Sequence, residues 1–331
     1  MACVLASAAA ADDGWTLRQL RCLEVKAAGD LPAPIIDGTI TDLEWARVDP
    51  TAAEGEFGTG LEFRLLSKDD ALYVAAEVRA EKPDIRTDAR SRDDEAALED
   101  DGVELVLDGG PSLTRGLRVI VTSGNKVWDE QLLDGGPTSV PGYDAKVTSA
   151  TAPTTSGWAA ELRIPWSELG LAGVKGEMLG FNIASRVRGE RQVALVDAEK
   201  PTDLCGLAVA GVDERLARNG ELRLAFKELS CDGGKGTLYV DAHNSLNETE
   251  QFLVRYSAVT PKADPQGGQL RMLIEDHETA HLGLGPVPLG DTGCVLFTIS
   301  PYTTNNTRAP RSLGFTAVLA VPEPRPAEPR A

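Results

Sequence analysis

The amino-acid sequence predicts an all-β protein made of two β-sandwich domains. Apolar and polar residues alternate with a period of two over many short segments, and β-branched and aromatic residues are concentrated in those segments. Turn-forming stretches such as "KDD", "DGG" and "SGN" separate them. Many short strands at this spacing are typical of sandwiches and barrels. A chain of 331 residues is also long enough for about two ordinary domains.

The strands predicted in the first part of the chain follow this alternation closely. Short helical turns are expected at "DEAALEDD", "PWSELG" and "DERLARNGELRLAF", and none of these is a long amphipathic helix. Strands are predicted over residues 61–66, 71–79, 102–108, 117–124, 126–131, 143–150, 157–165 and 179–188.

A glycine-rich polar stretch, "KELSCDGGKG" at residues 227–236, predicts the boundary between the two domains. We expect the first sandwich over residues 28–227. A second, small immunoglobulin- or fibronectin-like sandwich is expected over residues 232–321. The tail "PEPRPAEPRA", residues 322–331, has too little apolar character for a core and is expected to be disordered.

Composition and charge exclude several classes of partner. The formal net charge of −18 repels phosphate backbones, and nucleic-acid binding draws most of its affinity from basic side chains. No apolar run approaches the roughly 20 residues that a membrane-spanning helix needs. The sequence therefore predicts neither nucleic-acid binding nor membrane insertion.

The chain begins with small apolar residues that resemble the end of a secretory signal peptide. Residues 1–12, "MACVLASAAAAD", carry an Ala-x-Ala-type cleavage pattern but lack a positive n-region. This predicts a secreted, periplasmic or extracellular protein, with an ordinary alanine-rich N-terminus as the alternative. Four further cysteines allow two disulfides by three pairings, or buried thiols: Cys22, Cys205, Cys231 and Cys294.

Several landmarks of the first block occur in a fixed order. They are "IDGTITDLEWARV", "LYVAAEVR", "DDGVELVLD", "RVIVTSGNKVWD", "GWAAELRIPWSELG" and "LGFNIASRVRGER". Together these landmarks, which span about residues 34–211, resemble the family 9 carbohydrate-binding modules of the cellulose- and xylan-binding type. The resemblance implies a double-sheet sandwich, a poly- or oligosaccharide partner, and a non-catalytic accessory role in polysaccharide breakdown in a secreted bacterial protein.

The tryptophans of this block have different predicted roles. Trp158 alternates inward in "GWAAELRIPW" with apolar neighbours, so it is predicted to be a core residue, and Trp45 and Trp166 are interpreted as structural too. Trp128 differs, because Val127 takes the apolar face and leaves the indole on the polar one. Its ring either stacks on a sugar or is covered by a loop or by the second domain.

Polar residues on two strands complete the candidate sugar site. Their side chains can form the hydrogen bonds that sugar hydroxyls require, although a solvated ion-pair face has the same composition. In the resembling family a terminal sugar ring is clamped between aromatic side chains. The stretch "RQVALVDAEKPTDLCG" has none, which puts the sugar site, though not the fold, in doubt. The candidates beside Trp128 are Asn182, Arg186, Arg188, Tyr73 and Glu77.

An acidic stretch, "DARSRDDEAALEDDGVE" at residues 88–104, has the composition of a calcium site. Calcium takes six to eight oxygen ligands, and structural calcium is common in the resembling family. The alternative is a solvated acidic loop. No cofactor is required by the sequence, and structural calcium is the one metal predicted, with the candidate ligands Asp93, Asp94, Asp100 and Asp101.

The stretch "HETAH" has the spelling of a zinc-protease motif. Such a motif needs a helix, so that His277 and His281 lie one turn apart with Glu278 as general base. Here "QLRMLIED" before it reads as a strand, and the glycines and prolines after it would stop a helix. We expect a strand, a polar turn and a second strand, so a zinc hydrolase is disfavoured.

Three other functions remain open at the sequence level. An envelope or adhesion scaffold without a sugar site fits the composition nearly as well as a sugar binder. A haem-binding relative of the same sandwich is weaker, because the first block has no histidine and only Met178 as an axial ligand. Glycosidase activity needs a suitably spaced carboxylate pair, and no spacing in the sequence singles one out.

Overall fold

The computed structural model is all-β and divides into two compact units. The inner unit comprises residues 23–214, and the terminal unit comprises residues 1–22 with 215–331. No described helix is long and apolar enough to cross a membrane. The expectations for residues 1–12 and for the tail beyond Pro322 lie outside the described residues. The structure describes residues 14–41, 45–54, 60–79, 86–196, 203–217, 221–261, 263–289, 293–304 and 310–322.

The secondary structure consists of strands and a few short 3-10 turns. These turns span Trp45–Arg47, Glu95–Leu98, Trp166–Leu169 and Leu204–Gly206. The strands are β1 (Trp15–Gln19), β2 (Cys22–Ala27), β3 (Thr51–Glu54), β4 (Gly60–Lys68), β5 (Ala71–Arg79), β6 (Gly102–Gly109), β7 (Gly116–Thr122), β8 (Val127–Leu133), β9 (Thr138–Pro141), β10 (Thr148–Pro153), β11 (Gly157–Pro165), β12 (Met178–Val187), β13 (Glu190–Ala194), β14 (Ala208–Val212), β15 (Leu222–Asp232), β16 (Lys235–Asn244), β17 (Glu250–Thr260), β18 (Ala263–Ile274), β19 (Thr279–Pro288), β20 (Val295–Thr303), β21 (Arg311–Ser312) and β22 (Thr316–Pro322).

The inner unit is a double-sheet sandwich. Its strands follow the order β10-β11-β5-β4-β2-β14-β12-β6-β7-β8-β9, with β3 on β4 and β13 on β12. We call the half with β2 to β5, β10 and β11 the first sheet, and the half with β6 to β9 and β12 to β14 the second sheet. The two halves share one apolar core, in which the rings of Phe63 and Phe181 lie 5.6 Å apart.

The core of the inner unit confirms the period-two interpretation of β11. Trp158, Ala160, Leu162 and Ile164 all enter the shared core. Glu161 points to the opposite side of the strand, as the alternation requires. Trp45 and Trp166 are also buried, which agrees with the prediction that these tryptophans are structural.

Glu161 ties two of the sequence landmarks together. Its buried carboxylate accepts hydrogen bonds from the Trp45 indole at 2.7 Å and from the backbone N–H of Gly38 at 2.8 Å. Gly38 has a φ of +89°, and a Cβ there would lie 2.7 Å from the Thr151 carbonyl carbon. Only glycine therefore fits this position of the turn. The hydrogen bonds to Glu161 join the Asp37-Gly38 turn to the β11 landmark.

The terminal unit also contains two sheets. One follows the order β1-β22-β20-β17-β18, with β21 on β20, and the other follows the order β15-β16-β19. Side chains from both sheets, such as Leu238 and Phe297, belong to one apolar core. The immunoglobulin- or fibronectin-like character expected for this region stays a prediction.

The boundary between the units differs from the expected one. The stretch at residues 227–236 is a hairpin in which Gly233 and Gly234, both with positive φ, form the two-residue turn between β15 and β16. Two such residues give the turn type that joins tight hairpins, rather than a linker. The division falls after Glu214, and β1 joins the terminal unit by pairing with β22.

Three smaller expectations are also settled. Helical turns form within "DEAALEDD" and "PWSELG", but residues 222–226 of "DERLARNGELRLAF" belong to β15. The strand expected at 143–150 begins only at Thr148. Among the described residues, Cys22, Cys205, Cys231 and Cys294 are not joined in disulfides, so the predicted pairings do not form.

Candidate functional site

The outer surface of the second sheet carries a cluster of charged side chains. Alternation along β6 and β7 sends Leu105 and Val119 into the core and their charged neighbours outward. The strands β6, β7, β8, β12 and β13 each contribute to this cluster. We call it the arginine face, and it consists of Glu104, Arg118, Glu130, Arg186 and Arg191.

Glu104 is the centre of the arginine face. Its buried carboxylate accepts hydrogen bonds from Arg118 Nε at 2.6 Å and Arg186 Nη1 at 2.8 Å. Arg191 donates two more, from Nε at 3.0 Å and from Nη2 at 2.8 Å. Arg118 also reaches Glu130, at 2.8 Å from Nη1. One carboxylate therefore fixes three guanidinium groups that come from different strands.

The charges of the arginine face are unequal. Burial by itself would raise the pKa of Glu104, but the hydrogen bonds and positive charges of Arg191, Arg118 and Arg186 outweigh it and lower the pKa to about 2. Three guanidinium groups face two carboxylates, so the set carries one positive charge in excess.

Trp128 lies on this outer surface, as the sequence predicts, but it is covered. Its side chain is 5% exposed and packs against Ile120 and against Ala89 and Ala97 of the segment that crosses over it. The guanidinium carbon of Arg118 sits 5.3 Å from the ring centroid. Trp128 thus offers no open ring face to a sugar. Of its two interpretations, the structure shows the one with a covering loop.

The sequence predicts a shared ligand-binding face for Asn182, Arg186 and Arg188. In the structure each of them has different hydrogen-bond partners. Asn182 is buried and exchanges two hydrogen bonds with the backbone of Val196. Arg186 belongs to the arginine face and also donates to the Leu98 carbonyl at 2.6 Å. Arg188 lies in the turn after β12, where its backbone N–H donates to Asp101. Only Arg186 therefore joins the candidate site.

Tyr73 and Glu77 do not belong to the same site. Both lie on the outer side of β5 in the first sheet, whose inner residues face the second sheet across the core. Tyr73 is buried in a small apolar cluster with Trp45. The predicted set is therefore split between the two outer surfaces of the sandwich, and the structure does not bring Tyr73 and Glu77 together with Trp128.

The four aspartates predicted to bind calcium act as acceptors for the backbone or lie in turns. Asp94 accepts from Ala96 N–H at the start of the 3-10 turn, and Asp100 accepts from Ala89 N–H at 2.9 Å. Asp101 accepts from Arg188 N–H at 2.7 Å, and Asp93 has a positive φ. Within the described ranges, no group of three or more acidic, histidine or cysteine residues is arranged to hold a metal. The calcium site stays a prediction.

The "HETAH" stretch forms the predicted strand, turn and strand. His277 lies in the turn between β18 and β19 with a φ of +56° and contacts Asn247 at 3.0 Å. His281 lies on β19, exposed, with its Nδ1 2.6 Å from Asp241. With no helix to bring His277, Glu278 and His281 together, the zinc-protease geometry does not form here.

Sequence reasoning missed most of the arginine face. Glu104 was grouped with the acidic stretch, while Arg118, Glu130 and Arg191 were not singled out. Alternation in "GVELVLD" and "LRVIVTS" does place Glu104 and Arg118 on the polar side of their strands. That pattern does not show that the two strands are neighbours or that β13 closes the cluster.

Comparison with known proteins gives one family match. The family described as carbohydrate family 9 binding domain-like matches residues 36–203, which is half of the chain. No curated protein sequence matches the chain.

Solved structures of similar fold include a family 9 carbohydrate-binding module from Caldicellulosiruptor kristjanssonii in complex with cellotriose. It is 19% identical, with a TM-score of 0.45, and the match covers 58% of this chain and 93% of that one. A module from the same organism in complex with glucose is 18% identical, with a TM-score of 0.42, and the match covers 58% and 95%.

Proposed function

The chain belongs to the carbohydrate family 9 binding domain-like family, and from that premise we propose that it is a non-catalytic protein that binds a glycan through its arginine face. One observation carries the choice of site. The buried carboxylate of Glu104 holds three guanidinium groups in fixed positions on one sheet surface, where the Arg118 and Arg191 side chains are 15% and 18% exposed. Rigid, planar donors suit the paired hydroxyl and carboxylate oxygens of sugars.

The arginine face binds with little loss of side-chain entropy. The Arg118 guanidinium lies over the Trp128 ring and donates hydrogen bonds to Glu104 and Glu130, so its position is already fixed. Ordering a long, free arginine on binding would cost about 0.5–1.5 kcal/mol. A preformed array avoids that cost, which offsets part of the loss of an aromatic stacking residue.

The charge of the arginine face favours an acidic sugar. One positive charge remains after the three arginines are paired with the two glutamates. Arginine forms bidentate hydrogen bonds with carboxylates more strongly than with neutral hydroxyls. We therefore expect glycans that carry uronic acids to bind more tightly than neutral ones of the same length.

The biological setting belongs to the same proposal. The small apolar residues at 1–12 support export, and the family supports an accessory role beside enzymes that break down polysaccharides. A scaffold or adhesion protein is the second candidate. The observation that favours it is the burial of Trp128, which removes the aromatic platform that a sugar site would be expected to use.

The test uses the intact chain on a panel of neutral and uronic acid-containing oligosaccharides, measured by titration calorimetry. Arg191→Ala is the informative variant, because Glu104 keeps its hydrogen bonds from Arg118 and Arg186. Arg163→Ala is the matched control, since Arg163 pairs with Asp70 on the first sheet. We expect Arg191→Ala to weaken binding by about 10-fold or more and Arg163→Ala to leave it unchanged.

Arg191→Lys sharpens the result, because lysine keeps the charge and loses the planar fork. An intermediate affinity for this variant would support recognition by paired hydrogen bonds. If the folded protein binds no member of the panel, or if both alanine variants behave alike, glycan recognition at the arginine face is refuted. The scaffold function would then be the better account.

A further inference from the structure

A cleft in the inner unit lies apart from the arginine face. It opens where β6 and β7 meet, between the loop that joins them and the 3-10 turn Trp166–Leu169, and its volume is about 470 Å³. Clefts of roughly 300–1,000 Å³ are the usual size of small-ligand sites. We call it the end cleft, and its polar and aromatic lining consists of Ser112, Thr114, Arg115, Gln131, Tyr143, Ser167 and Glu168.

One wall of the end cleft is fixed by a buried carboxylate. Asp108 accepts hydrogen bonds from Ser112 N–H at 2.8 Å, from Ser112 Oγ at 2.7 Å and from Leu113 N–H at 2.7 Å. Leu113 is held at a φ of +59°, a conformation that a leucine rarely adopts. The loop that supplies Ser112 and Arg115 is therefore held in a single shape by Asp108.

The opposite wall is the 3-10 turn Trp166–Leu169, which comes close to β6 at Gly109. A Cβ on Gly109 would lie 1.6 Å from the carbonyl oxygen of Leu169, so a side chain at this position is incompatible with the present approach of the 3-10 turn. That approach brings Glu168 to the cleft. Both walls are thus built by close backbone contacts, and the cleft exists before any ligand arrives.

The lining combines the groups that recognise a sugar ring. Tyr143 is 37% exposed, and burial together with the nearby Glu168 carboxylate raises the pKa of its hydroxyl. Arg115 is exposed and Gln131 is half-buried, so a cation, an amide and hydroxyls line the same cleft as the Tyr143 ring. A polyhydroxylated ring satisfies such mixed donors and acceptors while its apolar face packs on the phenol.

Other ligand chemistries fit this lining less well. A phosphate would meet Arg115 but also the carboxylate of Glu168. A mainly apolar molecule would take water away from the half-buried Glu168 and Gln131 without offering them hydrogen-bond partners, which is costly. The balance of one cation and one carboxylate suits a neutral sugar, in contrast to the arginine face.

We propose that the end cleft is a second glycan subsite, which takes a short neutral oligosaccharide segment with Tyr143 as its stacking residue. The proposal goes beyond the proposed function, because the end cleft is formed by a different set of residues and has a different charge. Two subsites on one unit would let the protein hold two segments of glycan and gain avidity on a polymer.

The test uses the intact protein with 3-fluorotyrosine in place of its five tyrosines, observed by fluorine NMR. Tyr143→Phe identifies the Tyr143 resonance by its loss. Cellotriose and trigalacturonic acid are the two probes. We expect cellotriose to shift the Tyr143 resonance both in the unsubstituted protein and in Arg191→Ala, because the end cleft does not use Arg191.

The affinities of matched variants for cellotriose are compared by calorimetry. Tyr143→Ala should weaken cellotriose binding by about 10-fold or more, whereas Tyr143→Phe, which keeps the ring, should stay within about threefold. Tyr239→Ala is the control, since Tyr239 is similarly exposed, at 42%, but lies on β16 of the terminal unit. It should bind like the unsubstituted protein.

Two results would overturn the end-cleft proposal. One is a Tyr143 resonance that neither probe shifts. The other is a Tyr143 shift that disappears in Arg191→Ala, which would mean that the signal comes from the arginine face. Failure of the proposed function has a different signature, namely unchanged trigalacturonic acid binding in Arg191→Ala, so the two claims are tested separately.

Discussion

Two buried carboxyl groups on β6 have pKa values that are shifted in opposite directions. Glu104 and Asp108 lie four residues apart on the outer side of the strand, and both are buried. Glu104 meets three guanidinium groups, which lower its pKa to about 2. Asp108 meets two backbone N–H groups and one hydroxyl, and burial outweighs these neutral donors and raises its pKa to about 6.

The difference teaches that the charge of the partners, and not burial alone, decides which form of a carboxyl group the fold prefers. Desolvation disfavours the ionised form of both groups. Guanidinium groups reverse that preference at Glu104, whereas uncharged donors only reduce it at Asp108. One end of β6 therefore supports a charged surface, and the other holds a loop through uncharged donors.

The largest expected effect comes from removing Glu104. In Glu104→Ala, three guanidinium groups lose their shared carboxylate, and Arg186 stays buried without a counterion. Breaking a buried charge network in this way costs about 3–5 kcal/mol. Chemical denaturation followed by tryptophan fluorescence reports mainly on the inner unit, which holds Trp45, Trp128, Trp158 and Trp166.

Glu62→Ala is the control for this prediction. Glu62 pairs with Arg79 on the first sheet at 3.0 Å, and both side chains are about one-third exposed. Such a pair contributes about 0–1 kcal/mol. Equal losses in the two variants would contradict the claim that Glu104 organises the second sheet.

The next effect is the contribution of Asp108 to the pH dependence of stability. Its pKa in the folded protein is about 6, above the ordinary aspartate value of 3.8. The stability that it contributes is therefore present below pH 4 and lost as the pH rises through 6. A shift of this size corresponds to about 3 kcal/mol.

Asp108→Asn removes the titration and keeps the shape of the side chain. The difference in unfolding free energy between the unsubstituted protein and this variant should change by about 2 kcal/mol between pH 4 and pH 7, with the unsubstituted protein losing stability. A constant difference over that range would show that Asp108 does not titrate as described. Glu104 has the opposite sign, because its lowered pKa makes its contribution vanish only as the pH falls below about 4.5 towards 2.

The smallest effect concerns Trp128. Trp128→Phe leaves a partly filled space under Ala97 and Ile120, so we expect a loss of about 1–3 kcal/mol. Glycan affinity, measured on the folded variant, should stay within about threefold, because the ring is covered. A loss of binding without a loss of stability would instead mean that the covering segment opens and that Trp128 contacts the sugar.

Local pattern accounts for much of the inner unit. The predicted strands at 71–79 and 157–165 match β5 and β11 to the residue, because both have one face in the core and so keep a strict period of two. Strand β1 was missed, since five residues carry little pattern and its partner β22 is some 300 positions away. The hairpin turn at Gly233 and Gly234 was mistaken for a linker, because both uses favour glycine.

The candidate site was harder to predict, for a related reason. Alternation shows that Trp128 and Glu104 lie on outer faces, but the covering of Trp128 depends on Ala89 and Ala97 crossing the strand. The partners of Glu104 come from β7, β12 and β13, so its role depends on strand order, which a single sequence does not show. The end cleft likewise depends on Tyr143 and Glu168 meeting from separate loops.

The most direct test of the central claim is a calorimetric titration of the intact protein, Arg191→Ala and Arg163→Ala with trigalacturonic acid at pH 7. The account predicts binding by the unsubstituted protein and by Arg163→Ala, and a loss of about 10-fold or more in Arg191→Ala. Binding that is the same in all three proteins, or absent from all three while the fold is intact, would contradict a glycan site on the arginine face.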